Sequence, residues 1–312
     1  MKLMTYGHRH MTSCGILTDS GLIDIPSNTQ GHDKLHSIKE ILIKGTKAFR
    51  IVRQLQQAAP SLIDPDSVTP MAPIPRPGKI IALAGNYQKH LEETAWQDPT
   101  FQNQALTTNP WPFLMPSNVV CATKDQVPWP DYSDQLDYEI ELAVFIGGTV
   151  EKETPEEAAK YIAGYSIAND LSARSVTFRQ DRTDRPRDVF FDWLMGKWAN
   201  SFLPMGPCFV TADEIDNPQN LNLELKVNGQ IRQQANTSQM IFDVPQIVSF
   251  LSHLMTLEAG DVIVTGTPHG VAAASGNFLQ PGDIIECSID KIGTLKNTLG
   301  PKPAKFYRGF IQ

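Results

Sequence analysis

Cysteine is scarce in this chain. Cys14, Cys121, Cys208 and Cys287 are the only four among 312 residues, far apart and with no Cys-x-x-Cys pair. That spacing argues against a disulfide framework and a cysteine-built zinc site, and leads us to expect buried free thiols in a reducing compartment, the cytoplasm. Long apolar runs are also missing: nothing approaches the ~20 residues of a membrane span. Arg9 and His10 interrupt the start of the chain before any stretch of signal-peptide length, so no secretory leader is expected. No block of Lys and Arg occurs and the formal net charge is −7, which argues against a nucleic-acid partner. The small basic cluster of Arg179, Arg182, Arg185 and Arg187 is interleaved with Asp181, Asp184 and Asp188, and reads as a self-paired, solvated loop. Neither an internal repeat nor a glycine-rich phosphate loop is present; Gly196-Lys197 lacks the glycines that would have to precede it. What remains is a chain of ordinary globular composition, long enough for one large domain or two.

Carboxylates at informative spacings are what the sequence does have. In Asp137-Tyr138-Glu139-Ile140-Glu141-Leu142-Ala143-Val144-Phe145-Ile146 the alternation sends Tyr138, Ile140, Leu142, Val144 and Ile146 one way. Glu139, Glu141, Ala143 and Phe145 go the other way. Asp170 closes a second strand-like run, Tyr161 to Ala168. Glu-x-Glu on the wet face of an edge strand is common and needs no function. These two glutamates, however, open the most strand-like segment of the chain, and a buried strand does not hold adjacent negative charges without a cation between them. With no Cys or His cluster nearby, three carboxylates suit a hard divalent ion: Mg²⁺ first, with Mn²⁺ or Ca²⁺ as alternatives.

The rest of the chain reads as mixed α/β and strand-rich. Short strands fill roughly the first 30 residues. Ile38, Ile41, Leu42, Phe49, Val52 and Leu55 then recur at helical spacing. A proline-rich connector, 70–78, separates a small N-terminal subdomain (1–72) from the main domain (73–312). Residues 94–118, rich in Trp, Pro and Asn, lack periodicity and read as a long loop or lid. Thr154-Pro155-Glu156-Glu157 starts a helix, Asn228-Gly229 turns a hairpin, and Asp243 caps a helix with one apolar stripe.

Three further groups could do chemistry. His90 and Glu93, three apart on a short helix beginning near Tyr87, would share a face, so that Glu93 orients the imidazole as a general base; a plain surface pair is the alternative. Lys197, among aromatics, could stabilise an oxyanion or snorkel out of an apolar patch. In Thr265-Gly266-Thr267-Pro268-His269-Gly270 backbone N–H groups could approach a carboxylate, unless the segment is a simple tight turn; His269 reads as incidental.

Taken in order, Gly85-Asn86-Tyr87 with His90 and Glu93, Asp137 to Leu142, Asn169 to Arg174, Gly196-Lys197, Pro204 to Pro207 and Thr265 to Pro268 resemble the fumarylacetoacetate hydrolase family over about residues 75–290. The resemblance implies a mixed β-sandwich roll with a small N-terminal α+β subdomain, assembled as a homodimer. It implies metal ligands at Glu139, Glu141 and Asp170, a catalytic set of His90, Glu93 and Lys197, and substrate contacts from Arg174 and Thr267. The expected substrate is a small 2-oxo acid, an acylpyruvate or fumarylpyruvate, whose C–C bond is hydrolysed through an enolate stabilised by the metal. Isomerisation or decarboxylation on the same site is the alternative, and a metal-binding module without catalysis a minor one. The sequence departs from the family's pattern at Thr177, where Gln is frequent, at Met115, where Lys is frequent, and at Val271-Ala272, where a second glycine is common. Trp96, Trp111, Phe113 and Met115 in the lid suggest an apolar or aromatic substrate tail.

Overall fold

A computed structural model describes residues 1–8, 11–58, 60–94, 108–176, 182–183 and 185–307. Trp96, Thr177, Arg179, Asp181 and Asp184, and with them most of the expected lid, lie outside the described residues.

The strands, in chain order, are β1 (Lys2–His8), β2 (Met11–Thr18), β3 (Gly21–Asp24), β4 (Thr69–Met71), β5 (Ile80–Ala84), β6 (Trp111–Met115), β7 (Val120–Cys121), β8 (Gln126–Val127), β9 (Leu136–Asp137), β10 (Ile140–Ile146), β11 (Ile162–Asn169), β12 (Ser172–Ala173), β13 (Leu203–Thr211), β14 (Asn222–Val227), β15 (Gln230–Asn236), β16 (Val262–Val264), β17 (Ile284–Ile289) and β18 (Gly293–Leu299). The helices are α1 (Ile38–Lys44), α2 (Thr46–Ala58), α3 (Gln88–Glu93), α4 (Pro155–Ala159), α5 (Asp188–Met195), α6 (Val244–Leu254) and α7 (Ala272–Ser275).

The main sheet runs β3-β2-β1-β13-β11-β10-β16-β5-β6, with β4 on β1 and β7 on β13. A second sheet runs β15-β14-β17-β18-β8, and β12 pairs with β9. The strands of the first 72 residues thus extend the sheet that carries β10 and β11, through the pairing of Lys2 with Val210. Strand β10 is central and buried along its whole length. Ile140, Leu142, Val144 and Ile146 enter a core shared with the second sheet and α6. Ala143 and Phe145 enter the other core, with Ile16, Ile41, Leu42 and Val52. The alternation read from the sequence is therefore realised with both faces of the strand covered.

Local signals hold where they were strong. Thr154 and Asp243 cap α4 and α6 through their side chains. Asn228 and Gly229 take positive φ between β14 and β15, as a two-residue hairpin requires. The helical spacing of 38–55 is split at Gly45 into α1 and α2. All four cysteines are free and buried.

Two expectations are corrected. Residues 111–115, taken as part of an aperiodic lid, form β6, the last strand of the main sheet's order, paired antiparallel with β5. Pro112 is tolerated there because an edge strand leaves one row of backbone groups unpaired. Met115, offered as a reader of the substrate tail, is 5% exposed and packs in the second core. Among the described residues no helix is long and apolar enough to cross a membrane.

Candidate metal centre and active site

The β10–β11 ladder assembles the acidic triad. Ile140 pairs with Asn169, so one step further out Glu139 faces Asp170, whose N–H donates to the Glu139 carbonyl at 2.9 Å. Glu141, two residues on, has its side chain on the same face as Glu139. One carboxylate oxygen from each of Glu139, Glu141 and Asp170 lies within 4.8 Å of the others, and all three residues are buried.

Two cations reach the triad. Lys197, 1% exposed, follows α5, where the Gly196 carbonyl accepts from Ala173 N–H at 3.0 Å. Its Nζ lies 2.7 Å from Glu139 Oε2 and 2.7 Å from Asp170 Oδ2. The snorkelling alternative is thereby excluded: the ammonium points inward. Arg174 donates from Nε to Asp137 Oδ2 at 2.9 Å and from Nη2 to Glu139 Oε1.

These partners divide the three acids. Burial pushes Glu139 up, but Lys197 and Arg174 outweigh it and hold the carboxyl down at about 2. Burial raises Asp170 to about 6 despite Lys197. Glu141, buried and facing Asp170 and Glu139 with, among the described residues, only the Gly266 N–H at 2.7 Å as a direct donor, is driven well above the carboxylate range. Three carboxylates thus crowd around one buried ammonium, with Arg174, 18% exposed, reaching only Glu139 and Asp137, and without a further cation Glu141 is driven to hold a proton. Asp170 Oδ1 is buried without a hydrogen-bond partner among the described residues. An orphaned carboxylate oxygen and an excess of acidic groups over cations fit a divalent cation bound by oxygen.

The His90–Glu93 pair forms one turn of α3, with His90 Nδ1 and Glu93 Oε1 3.0 Å apart. The surface-pair alternative does not describe it: the two side chains are 13% and 20% exposed. Glu93 also accepts from Gly270 N–H at 3.0 and 2.8 Å and from Val271 N–H at 3.4 Å.

The segment after β16 is thus a row of donors. Gly266 serves Glu141, Gly270 and Val271 serve Glu93, and Ala272 and Ala273 serve Asp137 at 2.6 and 3.0 Å. The carboxylates these amides meet belong to the protein itself. Gly266 and Gly270 sit at φ 90° and 102°, and a Cβ on Gly270 would lie 2.2 Å from the Arg232 carbonyl oxygen. Only glycine adopts that backbone at that distance. Thr267 accepts from Gln233 Nε2 at 2.9 Å, and the same amide bonds the Pro268 carbonyl at 2.8 Å and takes the Ile140 N–H at 3.0 Å.

A cavity of about 720 Å³ joins these parts. His90, Glu93, Glu139, Asp170, Arg174, Lys197 and Thr267 line it, with an apolar wall of Leu83, Leu91, Phe113, Val189 and Trp193. Phe113 and Trp193 meet edge to face, ring centroids 4.9 Å apart. Glu141 stands behind the lining. Of the basic cluster, Arg182 pairs with Asp192 at 2.7 Å and Arg185 with Asp188 at 2.9 Å. The sequence did not single out Asp137 and Gln233 for a role. Asp137 stands beside the Glu-x-Glu run, but Gln233 carries no local signal at all.

Two packed sheets, a buried carboxylate triad suited to a divalent cation and a histidine–glutamate pair on one cavity define the class: a strand-rich α/β protein with a buried acidic cluster opening into a cavity. The family model for the fumarylacetoacetate (FAA) hydrolase C-terminal region matches residues 79–300, and the chain belongs to the fumarylacetoacetate hydrolase family. It is 32% identical over 303 residues to the mitochondrial oxaloacetate tautomerase Fahd2a of Rattus norvegicus, across 95% of this chain and 91% of that protein. It is similar in structure to maleylpyruvate hydrolase from Sphingobium sp. SYK-6 in complex with manganese(II) and pyruvate, with a TM-score of 0.75 and 25% identity over 97% of this chain and 100% of that one. A 2-hydroxyhepta-2,4-diene-1,7-dioate isomerase from Mycobacterium marinum matches with a TM-score of 0.71 and 26% identity over 97% and 99% of the two chains.

Proposed function

We propose that this protein is a divalent-metal-dependent hydrolase that cleaves a C–C bond of an acylpyruvate-type 2,4-dioxo acid. The observation that carries the reading is that the His90–Glu93 pair and the carboxylate cluster open into one cavity. Glu139, Glu141 and Asp170 would hold Mg²⁺ or Mn²⁺, which when bound polarises the 2-oxo end of the substrate and stabilises enolate charge. Glu93, fixed by two backbone amides, holds His90 Nδ1–H and leaves Nε2 to take a proton from water. The water oxygen adds to the distal acyl carbon and the bond between that carbon and C3 breaks. Its electron pair stays on C3 as the pyruvate enolate, and the proton on His90 returns to C3, giving a carboxylic acid and pyruvate. Lys197 orients Glu139 and Asp170, and Arg174 offers its guanidinium to the substrate carboxylate. The wall of Leu91, Phe113, Val189 and Trp193 suits an alkyl or aryl tail.

Keto–enol tautomerisation of oxaloacetate is the second reading. The relation to the rat tautomerase favours it, and it asks of His90 only a proton transfer at C3 without water attack. A homodimer is the proposed assembly, and a cytoplasmic or other reducing compartment suits the four free thiols.

The test is a spectrophotometric panel of alkyl and aryl acylpyruvates, fumarylpyruvate and oxaloacetate, each with Mg²⁺ and with EDTA. Metal-dependent loss of enol absorbance with release of pyruvate and an acid supports the hydrolase. Enol–keto exchange of oxaloacetate without pyruvate supports the tautomerase. His90→Ala should lower turnover by about 10²–10⁴ in either case, and near-normal turnover in that variant would remove His90 from the mechanism.

A further inference from the structure

Asp137 has no part in the reaction written above, yet its carboxylate is wholly buried at the end of β9. Oδ1 accepts from Ala272 N–H at 2.6 Å and from Tyr138 N–H at 2.8 Å. Oδ2 accepts from Ala273 N–H at 3.0 Å and from Arg174 Nε at 2.9 Å. Four donors fill the acceptor positions of a carboxylate, so Asp137 has none left for a ligand. Its influence must pass through what it holds.

Arg174 is held on two edges. Nε and Nη2 engage Asp137, and Nη2 also engages Glu139. Nη1 has no hydrogen-bond partner among the described residues, and Arg174 lines the cavity. A guanidinium fixed at Nε and Nη2 is a planar fork with one end free. Without Asp137, Glu139 alone would set its angle, and the fork could rotate about that single contact. The carboxylate that fixes it is anchored on the first two amides of α7, next to the Gly270 and Val271 amides that fix Glu93. One short backbone segment therefore sets the pose of the arginine and of the base.

We propose that Asp137 is a positioning residue that acts through Arg174, presenting Nη1 to the substrate carboxylate in register with His90. The proposal rests on the reading of Arg174 as the carboxylate contact given above.

The test is a double-mutant cycle on the full chain with the best substrate of the panel, comparing Asp137→Asn, Arg174→Gln and the double variant, with Mn²⁺ affinity measured for each. Asparagine keeps the size and one acceptor oxygen, for Ala272 and Tyr138, but turns an amide NH₂ toward the Ala273 N–H and Arg174 and removes the charge opposite the guanidinium. The expected result for Asp137→Asn is a KM raised about 10-fold, the scale of one charge-assisted hydrogen bond, with kcat falling less and the Mn²⁺ Kd changing less than the roughly 10–100-fold of a residue bonded directly to a ligand, because Asp137 bonds none of Glu139, Glu141 and Asp170. The double variant should be no worse than Arg174→Gln alone. Losses that multiply across the cycle, or an Asp137→Asn enzyme with wild-type KM beside an impaired Arg174→Gln enzyme, overturn the role of Asp137 and leave that of Arg174 standing. A wild-type KM in Arg174→Gln overturns the reading of the arginine itself, and the proposal with it. Should Asp137→Asn not fold, Asp137→Glu displaces the charge by one methylene, and the same raised KM and the same non-additivity are expected.

Discussion

Glu141 is held under opposing demands. It is buried among like charges, with one backbone amide as direct donor among the described residues, and its carboxyl is pushed far above its ordinary 4.5 by burial and by Asp170 and Glu139. A folded-state pKa above the unfolded one means that the folded, metal-free chain binds the proton more tightly. Its stability therefore falls as pH rises above about 4.5 toward the raised value. Glu141→Gln should remove that liability. We expect a higher melting temperature for the metal-free variant than for metal-free wild type at neutral pH, a flatter pH dependence, and Mn²⁺ binding weakened by roughly 10-fold or more. Melting curves with and without Mn²⁺ check all three, and a variant that melts lower without metal would contradict the account. At this scale the sequence was legible where the information is short-range. Glu139 and Glu141 share a face because they are two apart on a strand, and His90 and Glu93 meet because they are three apart on a helix. Asp137 and Gln233 were not legible in the same way. Asp137 is satisfied by Ala272 and Arg174, 135 and 37 residues away, and Gln233 by Ile140, 93 away.

Among the elements, the segment between β16 and α7 is the least replaceable. Gly270→Ala places a Cβ against the Arg232 carbonyl at a φ that side chains rarely adopt. We expect a loss of about 1–3 kcal/mol of stability, and a turnover loss beyond what the melting shift explains, because the same residue's N–H fixes Glu93. Chemical denaturation beside kinetics at a temperature well below the transition separates the two, and full activity in a destabilised variant would show that the amide is dispensable. Elements with capping residues or strict alternation, such as α4, α6 and β10, could be read from the chain. Strand β6 could not, because Pro112 and its edge position weaken the strand signal. Helix α5 escaped notice for a related reason. Arg187 provides no side-chain cap, and Val189, Phe190 and Phe191 stay exposed, so neither a start signal nor an apolar stripe marks it.

For the molecule as a whole, the carboxylate cluster ties β9, β10 and β11 to the segments carrying Arg174 and Lys197, so a cation bound there would be coupled to the fold. Chelation should lower the melting temperature. Restoring Mg²⁺ or Mn²⁺ at about 100-fold above its Kd should return about 2.7 kcal/mol, readable as a metal-dependent shift in a thermal melt; a melt insensitive to EDTA in a protein that still binds the ion would separate the site from stability. The overall architecture was legible only as strand-rich α/β from the residues themselves, because which strands neighbour β10 depends on pairings such as Lys2 with Val210 that leave no local trace. The amides of Gly266, Gly270, Val271, Ala272 and Ala273 belong to the main chain, so side-chain replacement does not delete them. Mutation can erase the chemistry of a side chain in one step, but it reaches these donors only by proline or by bending the backbone. The walls at Phe113, Val189 and Trp193 have no such protection. A lineage built on this plan can therefore exchange substrates by altering its walls while inheriting its acid–base geometry almost passively, and divergence in what is bound should outpace divergence in how it reacts.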